Sequence, residues 1–354
     1  MTTHPILRAC RQARAGMTLI ELLVVVFIIG LLIALFLPAV ISSRGAVRRA
    51  ECVNNLRQLG VAIQSFEVGT GYFPSGAPGV RQTIGGRVGV AVPREHSPLL
   101  QILSYLDADP VAKSANLTLR YDFGDTPENA TVSRTHLSVF LCPSETSPLL
   151  AAPTGPTSYR ANLGPGPYLI DMSARPIGNY PGGGEGPFVF GRNLSPGDFK
   201  DGLSNTVFMS EKLMGDNNPA VFTVARDFWC AGLPGPDYPE ANTLVAICAA
   251  APRGVPPHVS TGGESWYTSG FDTTFYNHTV IPNARVAGCK IEGTDPTPET
   301  SGNFGGVFGA SSLHGGGVNA MMGDGAVKFV KDSIDLAVWR ALATRAGGES
   351  ATDF

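Results

Sequence analysis

The stretch GMTLIELLVVVFIIGLLIALFLPAV, residues 16–40, decides the fold of this chain, because it holds an apolar run long enough to cross a membrane. No charged residue lies between Leu22 and Leu37, yet Glu21 stands at the front edge of the run. A carboxylate that faces lipid costs about 2–3 kcal/mol at a helix centre and less near the interface. We therefore expect a partner that compensates Glu21.

Two ordinary interpretations of this segment compete. A secretory signal has a basic start, an apolar run of about 7–15 residues and a small-residue cleavage site after it. Here the run is longer, and no convincing cleavage site follows it. A membrane anchor fits better, since the 24 residues from Met17 to Val40 would form a helix of about 36 Å. Arg8, Arg11 and Arg14 precede the run, which predicts a cytoplasmic N terminus and a head on the other side of the membrane.

The composition indicates a folded head rich in turns. Hydrophobic residues make up 43% of the 354 residues, and Gly and Pro together account for about a fifth of the chain. Three of the 26 basic residues precede residue 16, so the rest of the chain, which holds all 29 acidic residues, is mildly acidic. Because no basic stripe is present to neutralise phosphates, nucleic acid is not an expected partner.

Neither ordinary interpretation explains the string Gly16-Met-Thr-Leu-Ile-Glu21 behind a basic leader. This string resembles the class III signal of type IV pilins and type II secretion pseudopilins. In that family a prepilin peptidase cuts on the cytoplasmic side, and the apolar run stays on the mature protein. The resemblance implies a cut between Gly16 and Met17, N-methylation of Met17, and a role for Glu21 in methylation and assembly. The family typically has Phe where this chain has Met17, which is a mild departure.

The physical chemistry of the segment agrees with this resemblance. Cleavage would create an ammonium group at Met17, and Glu21 could pair with the ammonium of a neighbouring subunit, offsetting the cost of its desolvation. Pro38 matches a helix-bending proline that is common in such segments. The expected partners are the prepilin peptidase, other pilin or pseudopilin subunits and the inner membrane.

A second helical segment follows the apolar run. Apolar residues recur there at spacings of three and four residues, which is typical of an amphipathic helix. They are Val47, Ala50, Val53, Leu56, Leu59, Ile63 and Phe66. The helix is expected to end near Gly69–Gly71, with Pro74 beyond it. The predicted organisation is a leader at 1–16, a transmembrane or filament-core helix at 17–40, a stalk helix at 41–70 and a β-rich head at 71–354.

Further motifs resemble a bacterial family of pilin-like proteins that is named for a C-terminal His-x9-Asp-Gly signature and classed as of unknown function. Here the signature is His314-GGGVNAMMG-Asp324-Gly325. Earlier landmarks include residues 48–76, 140–144, 201–207 and 275–278, so the resemblance covers nearly the whole chain. It implies a pilin-like α+β fold, in which the long N-terminal helix packs on a mostly antiparallel β-sheet head with large loop insertions.

The signature itself predicts a β-hairpin. Apolar runs at 318–322 and 326–330 flank Gly323-Asp324-Gly325, and Asp and Gly tolerate the positive φ angles of tight turns. In an extended strand His314 would lie roughly 30 Å from Asp324, too far for a catalytic pair. We expect Asp324 to make the turn and His314 to cap or hydrogen-bond locally, with binding of a ligand or a neighbouring subunit by His314 as the alternative.

Catalytic motifs are otherwise scarce, and we expect no enzymatic activity. The sequence lacks a Gly-x-Ser-x-Gly elbow, a His-Glu-x-x-His motif and a phosphate-binding loop. No metal site and no cofactor are expected, apart from a weak calcium candidate at Asp198, Asp201 and Asn205, which offer oxygen ligands at loop spacing. The simpler interpretation of these three residues is a turn with side-chain-to-backbone hydrogen bonds.

Five cysteines remain after the predicted cleavage, and outside the cytoplasm they are disulfide candidates. Cys52 on the stalk and Cys142 could tie the helix to the sheet. Two of Cys230, Cys248 and Cys289 could close a distal loop and leave one odd thiol. The connectivity stays open at this point.

The rest of the head is predicted only coarsely. Residues 137–141, 206–209 and 221–224 are interpreted as strands, and 333–343 as a short amphipathic helix. Residues 231–305 are interpreted as an insertion of loops that carries several aromatic side chains. Such aromatics could form a recognition surface, although a small satellite core is the commoner outcome.

These patterns favour a structural protein, a minor pilin or pseudopilin held in the bacterial inner membrane and able to join a type IV pilus or a type II secretion pseudopilus. The head is larger than a minimal pilin head needs to be, which suggests presentation or binding. The alternative is a membrane-tethered binding module whose head captures a carbohydrate or another extracytoplasmic ligand without forming a filament.

Overall fold

The architecture is that of a computed structural model, which describes residues 18–77, 80–84, 87–91, 96–117, 127–166, 184–232, 240–250, 258–292 and 305–349. The chain divides into two compact units, residues 1–47 and residues 48–354. The first unit contributes the start of a long helix. The second unit contains the end of that helix and all of the sheets described below.

Helix α1 runs from Leu19 to Thr70 and continues through Pro38. Its apolar side chains between Leu19 and Phe36 are exposed, and among the described residues this is the one stretch of helix long and apolar enough to cross a membrane. Such a surface is unfavourable in water, so this part of α1 requires lipid or apolar neighbours.

The part of α1 in the second unit is amphipathic, and it lies against the head through one buried stripe. Cys52, Leu56, Leu59, Ala62 and Ile63 are all buried in the main hydrophobic core. The predicted stripe therefore starts later than expected, since the Val47 side chain is 55% exposed. The guanidinium of Arg49 lies 3.7 Å from the centroid of the Phe329 ring and adds a cation–π contact.

Helix α1 ends through a left-handed glycine. Gly71 has φ of +81°, and its N–H donates to the Glu67 carbonyl at 2.7 Å. This arrangement satisfies a carbonyl at the end of the helix, as expected for glycine just past a helix C terminus.

The remaining helices are short, and the strands form three sheets. The helices are α2 (Pro98–Gln101), α3 (Asp109–Ser114), α4 (Pro127–Ser133), α5 (Ala241–Ala249) and α6 (Leu336–Ala341). The strands are β1 (Val80–Ile84), β2 (Arg87–Ala91), β3 (Tyr159–Asn162), β4 (Val207–Glu211), β5 (Phe228–Gly232), β6 (His258–Val259), β7 (Phe275–Tyr276), β8 (Gly288–Glu292), β9 (Gly305–Val307), β10 (Gly317–Met322) and β11 (Val327–Lys331). Among the residues that the structure describes, strands β1 and β2 pair only with one another, as an antiparallel hairpin.

The central sheet has the order β11-β10-β4-β3-β7 and is antiparallel except for the parallel pair β3–β7. Side chains on the two faces of β10 belong to two different hydrophobic cores. Met321 belongs to the core that includes the α1 stripe, whereas Val318, Ala320 and Met322 belong to a second core that includes Trp339 of α6. The helix and the mixed sheets confirm the α+β fold class.

A second sheet with the order β6-β5-β8-β9 corrects the expectation for residues 231–305. Much of this region is not a loop insertion, because strands β6, β7 and β8 and helix α5 lie within it. Strands β5 and β8 pair in parallel, with Phe228 opposite Gly288. Trp266, Tyr267 and Phe271 are buried in the main core, so these aromatics form core and not a recognition surface.

Two short strand predictions were also wrong, and two other elements were right. Residues Ser138–Phe140 form a 3₁₀ turn, and 221–224 form no strand but bends and a turn. Both segments are mostly apolar, but their backbone closes turns: Phe140 N donates to the Leu137 carbonyl at 3.0 Å, and Arg226 N donates to the Thr223 carbonyl at 2.9 Å. The strand at 207–211 and the hairpin of β10 and β11 occur close to where the sequence predicts them.

Candidate functional site

The first candidate site is the start of α1. Gly16 and Met17 lie outside the described residues, so the predicted cut between them stays a prediction. Thr18 N and Thr18 Oγ1 each donate a 2.8 Å hydrogen bond to Glu21 Oε2. In return, Glu21 N donates to Thr18 Oγ1 at 3.3 Å. The two residues form a capping box, so the Glu21 carboxylate has hydrogen-bond donors within its own helix.

The Asp-Gly part of the signature makes the hairpin turn, as the sequence predicts. Asp324 Oδ1 accepts a 2.9 Å hydrogen bond from Ala326 N. Gly325 adopts φ of +85°, and its N–H donates to the Met322 carbonyl at 2.9 Å. The carboxylate is therefore used within the turn, where Asp and Gly are the favoured residues.

This turn lies against helix α1. A Cβ atom placed on Gly60 would lie only 3.0 Å from Gly325 Cα and 3.0 Å from Met321 Sδ. The side-chain amide of Gln64, one turn further along α1, donates a hydrogen bond to the Gly323 carbonyl. Sequence reasoning missed Gly60 and Gln64, although a glycine inside a buried helical stripe is a signal of close backbone approach.

The histidine of the signature lies at the other end of β10, in a buried polar cluster. Its Nε2–H faces Glu211 Oε1 at 3.2 Å, and Nε2 lies 3.6 Å from Cys142 Sγ. The backbone N–H of His314 donates to Ser312 Oγ at 3.1 Å. The expected local role was thus incomplete, because the side chain of His314 makes its contacts with residues more than 100 positions earlier in the chain.

Glu211 is the acceptor that organises this cluster. Its carboxylate is buried, and it accepts 2.9 Å hydrogen bonds from the backbone N–H and from the side-chain amide of Asn319 in β10. Together with the contact from His314, these bonds compensate a buried charge that would otherwise be costly. Sequence reasoning gave Glu211 no role, because nothing local indicates that its side chain points to β10.

A disulfide joins Cys52 of α1 to Cys142, beside His314. The hydroxyl of Tyr159 donates to the Cys52 carbonyl at 3.2 Å, which adds a second tie to the same turn of the helix. The ligand atoms of Cys52, Cys142, Glu211 and His314 lie within 4.8 Å of one another. Because the two sulfurs are bonded to each other, this set is a structural cluster and not a pair of free thiolates.

The two ends of the signature therefore hold the same helix at two places. His314 contacts the disulfide at Cys52, and Gly325 contacts α1 at Gly60, eight residues or about 12 Å further along the axis. His314 and Asp324 lie beyond opposite ends of β10. The arrangement fixes one face of the helix against one strand.

The other candidates have separate structural roles. A second disulfide joins Cys248 of α5 to Cys289 of β8, and the side chain of Cys230 lies outside the described residues. Asp198 Oδ2 accepts from Ser195 N and Ser195 Oγ, both at 2.8 Å; these bonds hold the pKa of Asp198 below its usual value.

The other two calcium candidates do not share a site with Asp198. Asp201 accepts from Thr344 Oγ1 and from the backbone of Gly347 and Gly348. The side-chain amide of Asn205 donates to the Asp201 carbonyl at 2.9 Å. The three side chains thus have different partners, and calcium binding by this loop stays a prediction from the sequence.

Two known protein families match this chain, one at its N-terminal segment and one over most of the rest. Residues 11–37 match the family described as prokaryotic N-terminal methylation motif. Residues 42–337 match the family described as protein of unknown function (DUF1559). Neither the curated proteins nor the solved structures include a match. With most of its length matched, the chain belongs to the DUF1559 family and carries a prepilin-type N terminus, which makes it a pilin-like protein.

Proposed function

We propose that this protein is a minor pilin or pseudopilin, a structural subunit that a prepilin peptidase processes and that joins a type IV pilus or a type II secretion pseudopilus. The observation that carries the proposal is the methylation motif at 11–37, which includes an exposed apolar stretch of helix, Leu19–Phe36. An apolar helix surface of this length needs lipid before assembly and neighbouring subunits after it.

Glu21 has the position that this role requires. Its carboxylate caps its own helix through Thr18. After cleavage, an ammonium at Met17 of a neighbouring subunit would compete for the same oxygen atoms with a full positive charge. A charge-assisted hydrogen bond is stronger than one from a neutral donor, so assembly would favour the exchange of partners.

The head supports a structural role through its attachment to α1. The disulfide at Cys52 and the close contact at Gly60 fix the helix against the central sheet. In a filament subunit, force acts on the N-terminal helix while the head is exposed on the surface, so the two parts need such a connection. The Asp324 carboxylate accepts within the turn and the His314 side chain contacts Glu211, which supports the proposal that these residues have structural roles and not enzymatic ones.

We place the head outside the cytoplasm. The arginines of the leader favour a cytoplasmic N terminus, and disulfides persist in oxidising compartments. The disulfides Cys52–Cys142 and Cys248–Cys289 agree with that placement.

A tethered binding module is the second candidate. It is favoured by a cavity of about 650 Å³ in the head, a volume within the range of small-molecule sites. In this role the protein would keep its anchor and act in the membrane without entering a filament.

Mass spectrometry of the N terminus, on protein from membranes and from sheared surface material of the native host, tests the proposal. We expect N-methylated Met17 as the first residue, and the protein in the sheared fraction. Glu21→Ala should remove the protein from the sheared fraction, whereas Glu51→Ala, at an exposed position of the same helix, should not.

An intact leader, or normal filament entry of the Glu21→Ala variant, would contradict the role as a filament subunit. Processed Met17 together with absence from all sheared fractions would favour the tethered module.

A further inference from the structure

The cavity in the head has walls from both larger sheets. Arg160 of β3, Phe228 of β5 and Val307 of β9 line it, together with Lys212, the residue after β4. Its volume of about 650 Å³ is large enough for a small organic molecule. The described residues that line the cavity do not include Glu211 or His314, although Ser312, which accepts from the backbone of His314, is among them.

Arg160 is the first unusual feature of this cavity. Its side chain is among the largest that are fully buried, with 1% exposure of the residue. Nη1 donates to the Phe271 carbonyl at 3.0 Å, but among the described residues Nε and Nη2, which are buried, have no hydrogen-bond partner. These two N–H groups lie on one edge of the guanidinium, the edge that binds a carboxylate through two parallel hydrogen bonds.

Lys212 is the second unusual feature. The residue is 9% exposed, and its Nζ donates one 3.0 Å hydrogen bond, to the carbonyl of Gly309 in the cavity wall. An ammonium group has three donors, so this bond uses only part of its capacity. Burial, and secondarily the positive charge of Arg160, lower the pKa of Lys212 to about 7.

The neighbouring carboxylates have other partners. Glu145 pairs with Arg226 at 2.8 Å and Asp272 lies 3.9 Å from Lys290, and both carboxylates also attract Arg160. Asp227, which lines the cavity, accepts from Thr223 N at 2.7 Å through Oδ2, while its Oδ1 is buried without a hydrogen-bond partner among the described residues. Within the part of the chain that the structure describes, neither Arg160 nor Lys212 forms an ion pair with a carboxylate. Two buried cations that interact unfavourably would both gain from an anion.

One part of the remaining wall is apolar and indicates what the anion carries, while polar and charged residues line the rest, among them Arg226, Asp227, Arg285 and Asp332. Phe228 and Phe308 pack edge to face with ring centroids 5.2 Å apart, and both line the cavity beside Val280 and Val286. Such walls favour an apolar body and offer little to the oxygen atoms of a small inorganic anion.

We propose that this cavity binds an organic monocarboxylate, with the carboxylate held by Arg160 and Lys212 and the apolar body against Phe228 and Phe308. The site does not depend on filament entry, because all of its residues belong to the unit formed by residues 48–354. A subunit with such a site would carry a small-molecule receptor in its head.

The test uses the full chain in detergent and two probes of the same shape, benzoate and its neutral analogue benzamide. Binding is followed at about pH 6, where Lys212 is charged, by isothermal titration calorimetry and by thermal unfolding. We expect benzoate to bind at least about tenfold more tightly than benzamide, since only the anion can accept from both cations.

Two variants test the placement of the probe. Lys212→Met should weaken benzoate at least about tenfold, whereas Lys200→Met, at an exposed lysine, should not. Val224→Trp adds bulk at the cavity wall and should also abolish binding, whereas Val221→Trp, three residues earlier and outside the lining, should leave it unchanged. Because Val224 is 43% exposed, its replacement is expected to leave the head folded.

Four results would overturn the proposal. The first is the absence of benzoate binding up to about 10 mM, well above the affinity that a built site gives a ligand of this size. The second is equal binding of benzoate and benzamide. The third is unchanged benzoate affinity in the Lys212→Met and Val224→Trp variants. The fourth is tighter binding of inorganic phosphate than of benzoate, which would refute the claim that the ligand has an apolar body.

Discussion

The disulfide between Cys52 and Cys142 gives the sharpest prediction for stability. The two cysteines are 90 residues apart, so the bond closes a large loop in the unfolded chain. The loop-entropy relation gives roughly 4–5 kcal/mol of stabilisation for a loop of this length. Measured values for native disulfides fall in the range of about 2–5 kcal/mol, which sets the expected loss in the double variant Cys52→Ser/Cys142→Ser.

The loss should be local as well as global, because this disulfide ties α1 to the head. Leu56 and Leu59 would keep the helix in the core through apolar burial alone, and Tyr159 would still donate to the carbonyl of residue 52. We therefore expect a helix that opens more often and a head that still folds. Amide protons of residues 48–70 should exchange faster in the variant.

Urea unfolding of the full chain in detergent measures the global effect, with tryptophan fluorescence as the signal, since Trp266 and Trp339 are buried in the head. Hydrogen exchange with mass spectrometry measures the local effect on 48–70. The matched control is Cys248→Ser/Cys289→Ser, which opens a loop of 41 residues away from α1 and should leave exchange at 48–70 unchanged. A loss below about 1 kcal/mol in the first variant, with unchanged exchange, would refute this reasoning.

Three further predictions concern buried groups in the second unit. Burial lowers the pKa of His278 to about 3. The unfolded chain, with a value of about 6.5, therefore binds more protons between these limits, and stability should fall by up to about 1.4 kcal/mol per pH unit as the pH drops from 6.5 towards 3. His278→Gln should flatten that part of the curve of urea midpoint against pH, and an unchanged curve would be incompatible with a neutral buried imidazole. Gly60→Ala should destabilise the head by about 1–3 kcal/mol, because the new Cβ would lie 3.0 Å from the backbone of Gly325. Gly45→Ala, whose Cβ would have none of the described atoms within 4 Å, should not destabilise it. Equal urea midpoints for both variants would disprove the close contact. Glu211→Gln should lower the unfolding free energy by about 1–3 kcal/mol, because one buried donor loses its acceptor. Glu51→Gln at an exposed position is its control, and a similarly small change in both would argue against the cluster.

The buried histidine His278 illustrates what sequence patterns leave out. Its Nδ1–H donates to the Trp339 carbonyl at 2.6 Å, and its Nε2 accepts from the Tyr276 hydroxyl at 3.0 Å. The ring also stacks on Trp339, with centroids 3.5 Å apart. In the sequence, residues 275–278 are only a landmark shared with a family, and nothing in them predicts a neutral imidazole.

The sequence by itself determined the features that depend on neighbouring residues. Uninterrupted apolar residues from Leu22 to Leu37 require a helix in lipid, because no other backbone arrangement satisfies its polar groups there. Asp324 and Gly325 between two apolar runs required a turn. These are short-range effects, so the order of residues along the chain was sufficient to predict them.

Only the tertiary structure decided which distant groups meet. Glu211 and His314 are separated by 103 positions, and Arg160 and Lys212 reach one cavity from different strands and loops. Buried polar groups are placed by packing and by the requirement that each finds a partner, and neither leaves a periodic pattern in the sequence. The two contacts that hold α1, at Cys52 and Gly60, and the cavity lined by Arg160 and Lys212 therefore depend on how the sheets assemble.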